Sequence, residues 1–137
     1  MTPYFQFARV DAGAVTTSDS PATLFTATIV LTKASALLFD FRASVQCQYL
    51  EPGSDTLGAA FQFLLDDLPL ADPSFFQFDP ATPPPNIDTF AANATLRSYA
   101  PVVLPGTHEL KVQWQTLKPN SQATIFPGNA NLTIEGK

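Results

Sequence analysis

Apolar and polar residues alternate along much of this chain with a period of two. In the longest run the apolar positions are Leu37, Phe39, Phe41, Ala43, Val45, Cys47 and Tyr49, and mostly polar residues lie between them. Residues i and i+2 share a face in a β-strand but lie on different faces of a helix. The run therefore predicts a long strand with one buried face and one face in water.

Shorter runs of the same kind predict further strands, and no stretch of ten residues has helical spacing. The strands are expected near residues 5–10, 25–31, 61–65, 90–96, 108–114, 123–125 and 132–134. Residues 33–36 form a short link that predicts a hairpin between the runs on either side of it. About seven to nine short strands separated by turns indicate an all-β fold. We predict one domain over 1–137, a two-sheet antiparallel β-sandwich of the jelly-roll type.

Residues 71–89 break the alternation and predict a long Pro/Phe-rich loop. It holds three aromatic residues, Phe75, Phe76 and Phe78, and a proline run, Pro83, Pro84 and Pro85. Burying one phenylalanine contributes about 1.5–3 kcal/mol, so three of them are not expected to stay in water. Two interpretations stay open. The aromatics fold back over the end of the sandwich, or they anchor in a neighbouring subunit or partner.

Composition excludes several classes of function. The 137 residues carry a net charge of −5, and the seven basic residues are scattered along the sequence, which argues against nucleic-acid and anionic-membrane partners. No apolar run is long enough to cross a bilayer, and the first residues do not resemble a signal peptide. The single cysteine, Cys47, excludes an intrachain disulfide and lies on an apolar strand face, where we expect it to be buried.

Several segments resemble those of a known group of domains. Residues 104–114, LPGTHELKVQW, are similar to a strand near the C-terminus of small jelly-roll domains in phage virion proteins and bacterial C1q-like (TNF-like) proteins. Residues 63–70, FLLDDLPL, resemble the element that precedes it there, with Asp67 where that pattern usually has Gly. Residues 123–125 and 131–135 are similar to the final strand pair. The resemblance implies a domain that commonly trimerises and serves in capsid decoration, fibre heads or receptor binding.

The candidate chemistry is sparse. His108 is the only histidine, and no Gly-x-Ser-x-Gly accompanies it, so we predict that the chain is not an enzyme and needs no cofactor. We expect His108 either to bond a turn carbonyl or to line a subunit contact. Asp66 and Asp67 are a weak calcium or metal candidate, because their spacing matches no EF-hand. A glycosidase pair would come from the carboxylates Asp66, Asp67, Asp72, Asp79 and Asp88.

Three functional hypotheses follow. The favoured one is a structural subunit of a phage-like virion, such as a capsid decoration protein or fibre tip, made in the host cytoplasm without a leader; the alternative location is the bacterial cytoplasm or cell surface. It would assemble as a homotrimer and contact other capsid proteins through Phe75, Phe76, Phe78, Pro83, Pro84, Pro85 and His108. The alternative is a module that binds carbohydrate, such as a host surface glycan, or a receptor through the loop aromatics. The third is a small hydrolase or cupin-like metalloenzyme, which the single histidine disfavours because a cupin site usually uses several.

Overall fold

The computed structural model describes residues 4–49, 57–70, 74–78, 89–117 and 121–136, with the side chains of all but 57, 74–78 and 89–90. Within these ranges the chain forms strands and no helix, so none of the described segments is a helix able to span a membrane. The strands are β1 (Phe5–Arg9), β2 (Ala14–Thr16), β3 (Ala22–Leu31), β4 (Ser35–Tyr49), β5 (Leu57–Leu65), β6 (Leu68–Pro69), β7 (Ser74–Phe78), β8 (Thr89–Val103), β9 (Gly106–Thr116), β10 (Ser121–Ile125) and β11 (Ala130–Gly136).

The first sheet is built around β4, the long strand that the alternation predicts. One edge of β4 pairs with β8 along nearly its whole length. The other edge pairs first with β11 and then with β10. β1 extends the sheet beyond β11, and β2 extends it beyond β10. All of these pairings are antiparallel. Because both of its edges are paired, β4 lies in the interior of the sheet.

The second sheet packs against the first and has the order β3, β9, β5, with β6 and β7 along the far edge of β5. Its pairings are antiparallel too. Along the described strands the chain crosses between the sheets six times: from β2 to β3, β3 to β4, β4 to β5, β7 to β8, β8 to β9 and β9 to β10. The predicted fold class, a two-sheet antiparallel sandwich of the jelly-roll type, is confirmed.

The core lies between the sheets and is rich in aromatic rings. Phe39 and Phe41 of the first sheet face Phe63 and Phe61 of the second, with ring centroids 5.8 and 5.9 Å apart. Trp114 continues the cluster at 6.1 Å from Phe61, and it is buried as its alternating row predicts. Rings at these distances in tilted arrangements attract each other beyond the burial of their surface. The core therefore joins the two sheets through ring contacts that cross the middle of the sandwich.

Cys47 is buried in the first sheet, as predicted. Burial raises the pKa of its thiol to about 11, because the thiolate would lose its hydration. The thiolate is the reactive form of cysteine, so Cys47 is chemically inert in the folded chain.

The predicted hairpin across residues 33–36 is wrong. β3 pairs with β9 in the second sheet, whereas β4 pairs with β8 and β11 in the first. The short link therefore carries the chain from one sheet to the other. Alternation identifies which residues of a strand face inward, but it does not identify the strand that pairs with it.

The prediction that the whole segment 71–89 is a loop is wrong in part. Residues Ser74–Phe78 form β7, in antiparallel register with β5, with Phe75 opposite Ala60 and Phe76 opposite Ala59. Thr89 is already the first residue of β8. The remaining residues, with Pro83, Pro84 and Pro85 among them, lie outside the described part of the chain.

Candidate functional site

The structure describes four of the seven predicted contact residues, three of them on β7 and one on β9. Phe75, Phe76 and Phe78 belong to β7, where the backbone but not the side chains is described, and the proline run lies outside the described residues. The seventh predicted residue, His108, is well defined on β9. The structure does not bring His108 together with β7, because β7 pairs with the opposite edge of β5 from β9.

His108 is held by two acceptors at one end of the second sheet. Its Nδ1 lies 2.6 Å from Oδ2 of Asp66, and its Nε2 lies 2.7 Å from the backbone oxygen of Leu104. The ring is mostly covered, with 16% of the side chain exposed. The predicted bond to a turn carbonyl is confirmed. The partner Asp66 was not predicted, and a separation of 42 residues gives no local signal for it.

Asp66 and Asp67 form the tight turn between β5 and β6. Both have positive φ, 50° and 66°, a region that aspartate tolerates better than most residues. The second carboxylate oxygen of Asp66 accepts a bond from the Glu109 amide at 2.9 Å. Asp67 accepts a bond from Lys111 at 2.7 Å. The two candidate metal ligands thus bind protein donors here, and the described residues contain no cluster of three metal-ligating side chains.

The geometry of His108 favours its charged form. A carbonyl oxygen and an ionised carboxylate only accept hydrogen bonds, so both ring nitrogens must donate, and a ring that donates twice is an imidazolium. Asp66, followed by the Leu104 carbonyl, raises the pKa of His108 above its usual value. His108 and the Glu109 amide in turn hold the pKa of Asp66 below its usual value.

We expect this ion pair to make stability depend on pH. The raised pKa of His108 gives a contribution that is complete below the usual histidine value of 6.5 and is lost as pH rises through the folded value. The lowered pKa of Asp66 gives a contribution present above 3.8 and lost as pH falls through its folded value. Replacing His108→Gln should therefore lower the free energy of unfolding by about 1 kcal/mol between these pH values, a modest amount because Asp66 is half exposed.

Denaturant titrations of the wild type and His108→Gln from pH 4 to pH 9 measure this difference. The variant should lose the slope that the wild type shows above the usual histidine pKa. Lys111→Gln, which breaks the neighbouring contact with Asp67 but leaves the ring in place, is the matched control and should keep that slope. Parallel curves for the wild type and His108→Gln would refute the assignment.

A second and larger site lies on the outer surface of the first sheet. Register places its outward residues in cross-strand rows over β1, β11, β4 and β8. We call this surface the arginine face. Its rows are Phe5–Glu135–Leu38–Tyr99, Phe7–Thr133–Asp40–Arg97, Arg9–Asn131–Arg42–Thr95 and, over β4 and β8 alone, Ser44–Asn93.

The arginine face is indented rather than flat. One depression of about 340 Å³ lies over Asp40, Arg97 and Thr133, and a second of about 390 Å³ lies over Ser44 and Asn93. Both are lined by Arg42 and Asn131, so they form one groove that follows β4. From Leu38 to Ser44 such a groove is about 20 Å long at the rise of a β-strand. Volumes of this order are those of small-molecule sites.

Asp40 is the electrostatic centre of the groove. It receives Nε of Arg42 at 3.2 Å and Nε of Arg97 at 3.3 Å, one from its own strand and one from β8. Its side chain is only 18% exposed, whereas those of Arg42 and Arg97 are 65% and 58% exposed. Asp40 thus fixes the inner ends of two guanidinium groups whose outer ends reach solvent. At the far end of the groove the Ser44 hydroxyl donates to Oδ1 of Asn93 at 2.9 Å.

Aromatic side chains stand on both sides of this groove. Phe5 and Phe7 lie on β1, and Tyr99 lies across the sheet on β8; each is more than half exposed. Rings of this size normally have at least one face covered by the fold, because their burial dominates the energetics of cores and interfaces. Here they are left in water next to charged and amide side chains, a combination typical of binding surfaces.

Comparison with known proteins bears on the fold alone. No protein-family model matches the chain, and no curated protein matches its sequence. Dimeric latent PorU from Porphyromonas gingivalis is similar in structure over 98% of this chain, with a TM-score of 0.55 and 7% identity, and the chain spans only 13% of PorU. Eiger TNF from S. frugiperda (TM-score 0.47, 11% identity, 98% of this chain and 92% of that one) is also similar. So is the CBM36-1 domain of a multidomain xylanase from the hindgut metagenome of Trinervitermes trinervoides (TM-score 0.46, 9% identity, 98% of both chains).

Proposed function

We propose that this chain is a non-catalytic carbohydrate-binding module and that the arginine face is its binding site. The observation that carries the proposal is the groove along β4, polar at its floor and bordered by exposed aromatic rings. This retains the binding role expected from the sequence but moves it from the loop aromatics Phe75 and Phe76 to a different surface.

The chemistry of the groove matches that of a sugar. Sugar hydroxyls both donate and accept hydrogen bonds, and the floor offers donors on Arg42 and Arg97, an acceptor on Asp40 and both kinds on Asn131. The C–H faces of a sugar ring are apolar and pack against aromatic rings, which Phe7 and Tyr99 supply at opposite borders. A few placed polar groups with aromatic neighbours are what fixes a ligand's orientation.

The scaffold keeps these groups in place. β4 is paired on both edges, and its inward neighbours Phe39 and Phe41 are fully buried in the core. A strand paired on both edges and packed on one face has little backbone freedom, so the fold fixes the points from which the groove's side chains project. Preorganisation reduces the entropy lost on binding, which helps an open, shallow site to bind at all.

A non-catalytic role is part of the proposal. Both nitrogens of the only histidine are engaged within the fold, by Asp66 and by the Leu104 carbonyl. In the groove the central carboxylate, Asp40, is bound by two arginines. A carboxylate that holds two guanidinium groups in place serves to position donors for a ligand.

Binding measurements on immobilised polysaccharides test the proposal. Phe7→Ala and Tyr99→Ala should each weaken binding roughly three- to tenfold, the value of one aromatic contact. Phe126→Ala is the matched control, because Phe126 is also half exposed but follows β10 outside the arginine face, and it should bind like the wild type. The proposal fails if no polysaccharide in a broad panel binds, or if Phe126→Ala weakens binding as much as the other two.

A second candidate is the assembly role, a homotrimeric subunit of a phage-like virion that contacts other capsid proteins. It is favoured by exposed apolar side chains near His108: Val30, Leu68, Val102 and Leu104. In this role His108 orders Leu104 at a subunit contact. Light scattering on the sample used for binding separates the candidates. A mass near 14.8 kDa with sugar binding supports the module, and three times that mass without binding supports assembly.

A further inference from the structure

The chain contains three arginines, Arg9, Arg42 and Arg97, and all three lie on the arginine face. Arg9 and Arg42 belong to the same cross-strand row, and Arg97 belongs to the adjacent one. The four lysines are elsewhere in the sequence, and the protein as a whole is acidic, with a net charge of −5. The guanidinium groups are therefore concentrated on one face of a molecule whose overall charge repels anions.

At the centre of the groove two guanidinium groups share one carboxylate. Its acidic side chains are Asp40 and, one row further along, Glu135. Asp40 is shared between Arg42 and Arg97, so two positive charges meet one negative charge at the floor. Arg9, at the border, pairs with Asp11 at 2.6 Å, which is exposed in the turn after β1. Glu135 balances the formal charge of the groove, but it forms no ion pair with Arg42 or Arg97, so these two guanidinium groups have one carboxylate partner between them.

The guanidinium groups also retain donors. A guanidinium has five N–H groups, and Arg42 directs two nitrogens at Asp40, Nε and one Nη, while Arg97 directs its Nε. Both side chains are more than half exposed, so the donors that Asp40 does not use are open to solvent. The planar fork of arginine fits a carboxylate through two parallel hydrogen bonds, a geometry that lysine lacks and that a neutral hydroxyl does not use fully.

We infer that the groove selects a sugar that carries a carboxylate, a uronic acid, with Arg42 and Arg97 binding the carboxylate and the aromatic borders packing against the ring. This inference rests on the proposed carbohydrate-binding function and specifies its ligand. Neutral sugars would satisfy the aromatic borders and Asn131 but would leave the remaining N–H donors of Arg42 and Arg97 without an anionic partner.

Polygalacturonate and its fully methyl-esterified form provide a matched pair of ligands, because the backbone is the same and only the charge differs. The wild-type chain should bind the acid form roughly tenfold more tightly, and this preference should shrink at high salt as the charges are screened. Arg42→Gln and Arg97→Gln should each reduce binding of the acid form towards that of the ester. Lys33→Gln removes the same charge from the exposed β3–β4 link and should leave the preference intact.

The outcomes separate this inference from the proposed function. Equal binding of acid and ester, unchanged in the arginine variants, overturns the uronate assignment and leaves carbohydrate binding in place. Tight binding of a sulfated polysaccharide without binding of polygalacturonate overturns the carboxylate assignment in favour of sulfate. Failure of every acidic and neutral polysaccharide to bind overturns the proposed function itself. Unchanged thermal unfolding of each variant confirms that the change is local.

Discussion

Replacing Phe39→Ala is expected to lower the free energy of unfolding by about 3–5 kcal/mol. Phe39 is fully buried at the centre of β4, and its ring faces that of Phe63 in the other sheet at 5.8 Å. Truncation removes the apolar contact area and leaves a cavity between two sheets, neither of which can move in to fill it. The total free energy of unfolding of many domains is only about 5–15 kcal/mol. Phe39→Leu is therefore a useful milder variant, and it should lower the free energy of unfolding by less than Phe39→Ala does.

Phe7→Ala is the matched control for this prediction. It makes the same chemical change on the same sheet, but Phe7 is more than half exposed on the border strand β1. Its loss should change stability by less than about 1 kcal/mol. Urea unfolding followed by the fluorescence of Trp114, the only tryptophan, measures both variants. Equal losses at Phe39 and Phe7 would contradict the placement of the core between the sheets.

Gly13→Ala is expected to cost about 2–4 kcal/mol, from two causes that add. Gly13 has φ of +72°, where an L-residue loses roughly 1–2 kcal/mol. A Cβ there would also lie 2.7 Å from the backbone oxygen of Ile125 and 3.1 Å from Cδ of Pro127. Neither neighbour yields easily, because Ile125 ends β10 and the proline ring is rigid, so the backbone must shift.

Gly128→Ala separates the two causes. Gly128 has a similar φ of +80°, but a Cβ built on it meets no atom within 4 Å. Its substitution should carry the backbone cost alone, about 1 kcal/mol. The difference between the two variants in the same unfolding experiment then measures the steric cost of filling the contact between Gly13 and the end of β10. A Gly128→Ala loss as large as that at Gly13 would show that the close approach adds nothing.

The inward residues of this fold could be predicted from the sequence because alternation reports them directly. Every second residue of β4 from Leu37 to Cys47 is buried, and so is Trp114 at the end of the row that His108 begins. Pairing was harder to predict. The link at 33–36 resembles a hairpin turn, and only the tertiary structure shows that β3 pairs with β9 instead.

β7 was missed because the prolines around it and the adjacent Phe75 and Phe76 obscure any alternation. Long segments rich in proline are normally irregular, and five residues are too few to give a strong pattern on their own. The strand forms because β5 offers a free edge with which Ser74–Phe78 can pair in register.

The candidate site could not be predicted for a different reason. Arg9, Arg42 and Arg97 are far apart in the sequence, and each one appears there as an ordinary polar position on a wet strand face. Their proximity follows from the register of β1, β11, β4 and β8, which depends on pairings between distant parts of the chain. The outward side of an alternating strand therefore showed that these residues face water, but not which neighbours they would meet.

The buried position of Cys47 allows its thiol to report when the two sheets of the sandwich separate. As the sole cysteine, covered by the sandwich and protonated at neutral pH, it is shielded from any thiol reagent in the surrounding water. Alkylation can proceed only during the brief excursions in which the two layers separate and the sulfur becomes wet. The rate of labelling in the absence of denaturant therefore measures how often the two sheets separate, and no probe has to be introduced.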